Sequence, residues 1–291
     1  MFKKVIILAA FVVAFSSSVN VGSVRAAGGA EINSQDWTTN GLFGFFDRKQ
    51  LKRGFQVYSE ICASCHSVRL LFYRNLEEIG FSPEEVKKIA AEAEVAAGPN
   101  EDGDTHDDGE LIVRPGKPFD RIVSPYPNEF AARAANAGAL PPDLTLMTKA
   151  RLNGPNYVHA LLTGYKDAPS GFKLSEGMNY NPYFSGSQIA MGAPLSDDGV
   201  EYADGTKATV GQMAKDVTTF LVWAAEPHLE ARHKMGVKVF FYLIVLLTLV
   251  YLSKQKIWSR FGSKDEEEEE TYDKVERAVT EYEGEDPKTF K

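Results

Sequence analysis

The chain has 291 residues, 44% of them hydrophobic and 25% charged, a globular composition with room for one medium domain and appendages. With 32 basic and 40 acidic residues it carries a formal charge of −8, which argues against nucleic acid as a partner and in favour of a basic protein. Its two cysteines stand three positions apart, at 62 and 65, so a shared task for both leaves no thiol for a structural disulfide.

Lys3 and Lys4 precede an apolar run from Val5 to Phe15, and Val24-Arg25-Ala26 offers small residues where an export peptidase cuts. Residues 1–26 are therefore expected to be a signal peptide. Eleven apolar residues are too few for a membrane span, and a mitochondrial leader would be richer in arginine. Residues 27–46, rich in glycine and aromatics, read as an extended lead-in. From Arg48, the spacing of Leu51, Phe55, Tyr58 and Ile61 predicts one helical face running into "ICASCH", residues 61–66.

Two cysteines separated by two residues, followed at once by histidine, form the attachment signature of a c-type haem. Cys62 and Cys65 would bond the porphyrin, and His66 would bind one face of the iron. A thioredoxin-like pair needs a βαβ setting that is missing, and a zinc site needs a second pair of ligands.

Ser82-Pro83-Glu84-Glu85 is a helix start, with a capping serine, proline in the first turn and acids near the positive end. That helix is expected to reach about Ala97, where Gly98-Pro99 stops it. "NEDGDTHDDGE", residues 100–110, is a solvated acidic loop without the oxygen spacing of a calcium loop. A short alanine-rich helix is expected around 129–137 and partial helix over 144–162. Residues 163–208 carry turn residues at short intervals, and so long a loop in a compact domain suggests wrapping over a cofactor. Thr209 and Gln212 have capping-box spacing, and Val210, Met213, Val217, Phe220, Leu221 and Ala224 follow on one face until Pro227 ends the helix.

Gly236 to Leu252 is a run of 17 residues with one charge, Lys238, flanked by Trp258 and the cations Lys254, Lys256 and Arg260. It is expected to span a membrane, with residues 253–291, including six consecutive acids at 265–270, as a polar tail. The signal peptide puts residues 27–235 outside the cytoplasm of a bacterium, in the periplasm, and the tail inside. The fold class expected is mainly α: a cytochrome c-like haem domain with long irregular loops, plus one C-terminal transmembrane helix.

For the second face of the iron, His106, His159, His228 and His233 sit in a loop, a helix or at the membrane border, Met147 and Met213 fit apolar stripes, and Met235 lies at the membrane boundary. Met178 and Met191 remain, both in the long irregular segment. The small neighbours Ala190, Gly192 and Ala193 would let backbone approach a flat macrocycle, which favours Met191.

The stretches "CASCHS", "GPNEDG", "RPGKP", "PYPN", "ARAANAGALPPDLT", "LLTGY", "NPYF", "DGTKATVGQMAKDVTTFLVWAAEP" and "MGVK" run in one order from about residue 40 to the apolar helix. Together they resemble the cytochrome c1 family, the haem subunits of the quinol–cytochrome c reductase (cytochrome bc1) complex. The resemblance implies Met191 as sixth ligand, Arg151 and Tyr157 near the haem propionates, and Pro142 packed by His66. It also implies one covalent haem c, a b-type cytochrome and a Rieske iron–sulfur protein as partners, and electron delivery to a basic c-type cytochrome. Some bacterial relatives have a cysteine pair near the methionine; here packing or hydrogen bonds must do that work. A free-standing membrane-tethered cytochrome, or an open-site haem enzyme or gas sensor, are the rival functions.

Overall fold

The computed structural model describes residues 30–284, with side chains of 260–266 and 281–284 left aside. The expected signal peptide lies outside the described residues. The chain divides into two compact units, one ending at Leu229 and one beginning at Glu230.

In the first unit, helix α1 spans Arg48–Glu60, α2 Pro83–Ala91, α3 Glu129–Ala135, α4 Gly154–Thr163 and α5 Val210–Ala225. Between them lie a 3-10 turn at Cys62–Ser64, a longer 3-10 segment Tyr73–Ile79, and three two-stranded antiparallel pairs. Asp47 caps α1, and its carboxylate accepts from the Lys49 amide. Ser82 and Glu85 cap α2 reciprocally, as their spacing predicts. At α5 only half of the box forms. The Thr209 hydroxyl accepts from the Gln212 amide at 3.2 Å, but the Gln212 side chain turns to Asp216 at 2.9 Å.

Helix α2 ends at Ala91, six residues short of the expected stop. Glu94–Ala96 instead forms strand β1, paired with β4, Val113–Pro115, so that Val95 faces Arg114. The pairing is extended by hydrogen bonds from Ala97 to Ile112 and from Gly116 to Ala93, which compete successfully with two more helical turns. In the acidic loop, His106–Asp107 (β2) pairs with Glu110–Leu111 (β3), and Asp108-Gly109 makes the turn with positive φ at both positions.

Helices α1 and α5 cross at Gly54. A Cβ there would lie 2.2 Å from the Asp216 carbonyl oxygen and 2.8 Å from the Phe220 Cβ, so only glycine lets the backbones approach this closely. Tyr58 stacks on Phe220 with centroids 5.6 Å apart, and Phe55 meets it edge-on at 5.7 Å. Beside the crossing, Arg53 Nε donates to Asp216 at 2.8 Å and Arg53 Nη1 to Asp204 at 2.7 Å. Leu51, Val57, Leu76, Ile79, Val86, Met213, Val217 and Trp223 complete the core. Met213 is thus a packing residue, and Met147 packs partly buried against the same cluster.

The lead-in lies against α4 rather than forming an element of its own. Asn156 Oδ1 accepts from both the Gln35 amide (2.9 Å) and the Trp37 indole (2.7 Å). His159 faces Trp37 edge-on at 6.1 Å.

The second unit is one helix. α6 runs Leu229–Gly284, and its stretch Leu229–Ser259 is long and apolar enough to cross a membrane. It exceeds the expected 17-residue span at both ends, and the acidic segment continues it. Lysine, arginine and glutamate favour helix, Lys274–Glu270 and Arg277–Asp273 pair one turn apart, and no proline intervenes before Pro287.

Candidate haem site

The two thiols stand on the turn that ends α1. The Cys65 and His66 amides both bond the Cys62 carbonyl, at 3.1 and 2.8 Å, folding the motif into a tight loop with Cys62 and Cys65 as free cysteines. Burial, then the neighbouring Cys65, pushes the Cys62 thiol up to about 12, so it stays protonated near neutral pH. The Tyr58 hydroxyl donates to the His66 carbonyl at 3.1 Å and links this loop to the helix crossing.

His66 Nδ1 lies 2.8 Å from the Pro142 carbonyl oxygen. A carbonyl can only accept, so Nδ1 carries the proton and Nε2 keeps a lone pair, the form an imidazole ligand needs. Burial lowers the His66 pKa against the opposing effects of the Pro142 carbonyl and Asp143, which favours the same neutral ring. The Pro142 carbonyl therefore sets the tautomer.

The segment after the histidine is tied to the segment after Pro142. Asp143 accepts from the Ser67 hydroxyl at 2.9 Å and the Arg69 amide at 2.8 Å, and from the Thr145 amide at 3.0 Å. The Leu144 amide bonds the Ser67 carbonyl at 2.8 Å. Burial works against the charge on Asp143, but the Arg69 amide, Thr145 and Ser67 outweigh it and hold the carboxyl below its ordinary range.

Met191 sits half-buried in a bend that follows the paired strands β5, Asn179–Tyr180, and β6, Gln188–Ile189. Its carbonyl accepts from the Tyr165 hydroxyl at 3.1 Å, and a Cβ on Gly192 would meet nothing within 4 Å. Burial, then Tyr157, raises Tyr165 to about 12, so it remains a donor at any ordinary pH. Met178 is also half-buried, two residues before the strand partner of Gln188. Tyr157 is half-buried against the core, whereas Arg151 is exposed and donates to the Ala150 carbonyl at 3.1 Å.

Asp143, Tyr165 and Asn181 were not singled out from the sequence, although Asp143 ties the loop after the haem motif and the other two hold the Met191 loop. Asp143 and Asn181 left a local trace, a side chain that accepts from the amide two residues on, as in a turn.

The donor set suits a c-type haem: two free thiols at the attachment spacing and a neutral imidazole with one nitrogen committed to a carbonyl. Residues 37–261 match the Cytochrome C1 family. A mitochondrial cytochrome c1 heme protein of Arabidopsis thaliana is 49% identical over 250 residues, covering 86% of this chain and 79% of that protein. Cytochrome c1 of Rhodospirillum rubrum is 43% identical over 272 residues, covering 88% of this chain and 96% of its own. A protein of Bradyrhizobium diazoefficiens named cytochrome b/c1 is 46% identical over 245 residues, 77% of this chain but 35% of its own length. With the family's match running from the lead-in into the apolar helix, this chain belongs to the cytochrome c1 family of haem proteins.

Proposed function

We propose that Cys62 and Cys65 bond one haem c covalently, that His66 and Met191 are its axial ligands, and that the electron leaves for a basic c-type cytochrome. The family role is electron transfer within the quinol–cytochrome c reductase, with cytochrome b and the Rieske protein as fellow subunits. A bound haem supplies a reversible one-electron couple. The rest of the task falls to the polypeptide: presenting ligands, excluding other ligands and setting the potential.

The observation that carries this reading is the His66 Nδ1–H bond to Pro142, which leaves Nε2 as the only ring nitrogen free to bind iron. A thioether on the other face favours ferrous iron over a nitrogen or oxygen donor and so raises the potential. Closure of both faces keeps small molecules off the iron. Arg151 and Tyr157 are assigned to the propionates, Arg151 lying exposed at the surface and Tyr157 half-buried against the core. Exposed acids from Glu101 to Glu110 would steer a basic acceptor, acting mainly on its association rate. The first unit is read as periplasmic and the end of α6 as cytoplasmic, following the exported leader; one helix among the described residues is long and apolar enough to cross a membrane, which supports a single pass.

Met191→Leu tests the ligand set. Covalent haem should persist through Cys62 and Cys65, the potential should fall, and the reduced protein should bind carbon monoxide at neutral pH. Reduction of this haem by quinol should then fail, because the electron would travel uphill. Met178→Leu is the control and should change little. The reverse result, with Met178→Leu opening the iron, would overturn the assignment.

A further inference from the structure

We propose that Tyr165 is a positioning residue for the sixth ligand, its hydroxyl and the end of α4 bracing the Met191 turn in place of a disulfide. The inference rests on Met191 as ligand and adds what holds it. Three residues in the sequence "LLTGY" each grip the ligand loop at a different point. The Leu161 carbonyl accepts from Asn181 Nδ2 at 2.8 Å, and Asn181 is fully buried. Asn181 then fixes its own turn, its Oδ1 accepting from the Tyr183 amide at 3.1 Å and its amide bonding the Ser187 carbonyl at 3.1 Å. Gly164 lies directly under the Tyr183 ring, where a Cβ would come within 2.4 Å of Cδ2. Tyr165 reaches furthest, to the carbonyl of Met191 itself, at 3.1 Å.

The chain's cysteines are those of the haem motif, so no sulfur bridge can tether this loop. A thioether is a neutral, weak donor, and its occupancy of the iron depends on how well the backbone holds it in place. Fixing the carbonyl of the ligand residue fixes where its side chain starts. Removing one such hydrogen bond should lower the ratio of methionine-bound to methionine-free iron about fivefold.

The test is Tyr165→Phe in the full chain within its assembled complex, since phenylalanine fills the same space and removes only the donor. Covalent haem content should be unchanged. The reduced protein should bind carbon monoxide about fivefold faster, and the methionine–iron charge-transfer band of the oxidised protein should disappear at lower temperature. Met191→Leu, measured in parallel, should abolish the band outright. A Tyr165→Phe protein with wild-type band and wild-type carbon monoxide kinetics overturns the brace. A band that survives Met191→Leu overturns the ligand reading instead, so the two failures are distinct.

Discussion

The His66 loop and the Met191 loop are held by different means. The His66 loop grows directly out of α1, at the helix crossing, and is stitched by backbone and carboxylate bonds to Pro142–Thr145. The Met191 loop comes from a long irregular segment and is held from outside, by a buried asparagine, a glycine–tyrosine contact and one phenol. The first arrangement shares its stability with the core. The second hangs on a few polar ties, with one buried apolar side chain on each side of Met191, Ile189 and Leu195, and can loosen while the helix crossing stays folded. On the proposed ligand set, covalent attachment and the fifth ligand belong to the rigid part, and the ligand that tunes the potential belongs to the adjustable part.

Substitutions at the crossing should strike the first loop hardest. Gly54→Val drives a side chain into the Asp216 carbonyl and should cost about 3 kcal/mol or more, since backbone cannot step aside. Haem-specific staining of denatured protein should find almost no attached haem. Normal staining with only methionine ligation lost would break the division between the loops.

Asp143→Ala should come next, lowering thermal stability by about 2–3 kcal/mol because three donors lose an ionised acceptor. Asp143 has a depressed folded pKa, so its contribution is present above the ordinary carboxylate value of about 4 and is lost as pH falls through the lower folded value. Acid titration of thermal stability should show that limb in the parent and a flatter one in Asp143→Asn. An equal limb in both would assign the acid loss to other carboxylates.

Gly164→Ala is the smallest and the most discriminating. Its methyl meets the Tyr183 ring at 2.4 Å and the Ala160 carbonyl oxygen at 2.6 Å, so the ring and the last turn of α4 must shift, at about 1–3 kcal/mol. Attached haem should be normal while methionine ligation weakens, measured as carbon monoxide binding by the reduced protein. Equal losses of both would mean that the loops are not separable.

The helices were legible because their signals are local. Ser82-Pro83-Glu84-Glu85, Thr209 and Pro227 mark ends within a few residues, and the core stripe of α5 repeats at helical spacing. The haem motif was legible for the same reason. What escaped was pairing at a distance. β1 and β4 have three residues each, too short for a period to register, so Glu94–Ala96 read as more helix. Asp143, Asn181 and Tyr165 act on backbone groups rather than through a repeating pattern, and such bonds leave almost no trace in composition. The turn at Met191 was visible from its small neighbours, but its support was not.

The unbroken run of α6 past its apolar stretch has a mechanical consequence. At 1.5 Å per residue, residues 260–284 extend about 37 Å beyond Ser259, more than the thickness of a bilayer's hydrocarbon core. Such a rod acts as a lever whose fulcrum lies in the membrane. A tilt of about 20°, ordinary for a single span, would displace its far end sideways by about 13 Å. A small reorientation within the lipid would thereby become a large sweep of an acidic arm in the water beyond it.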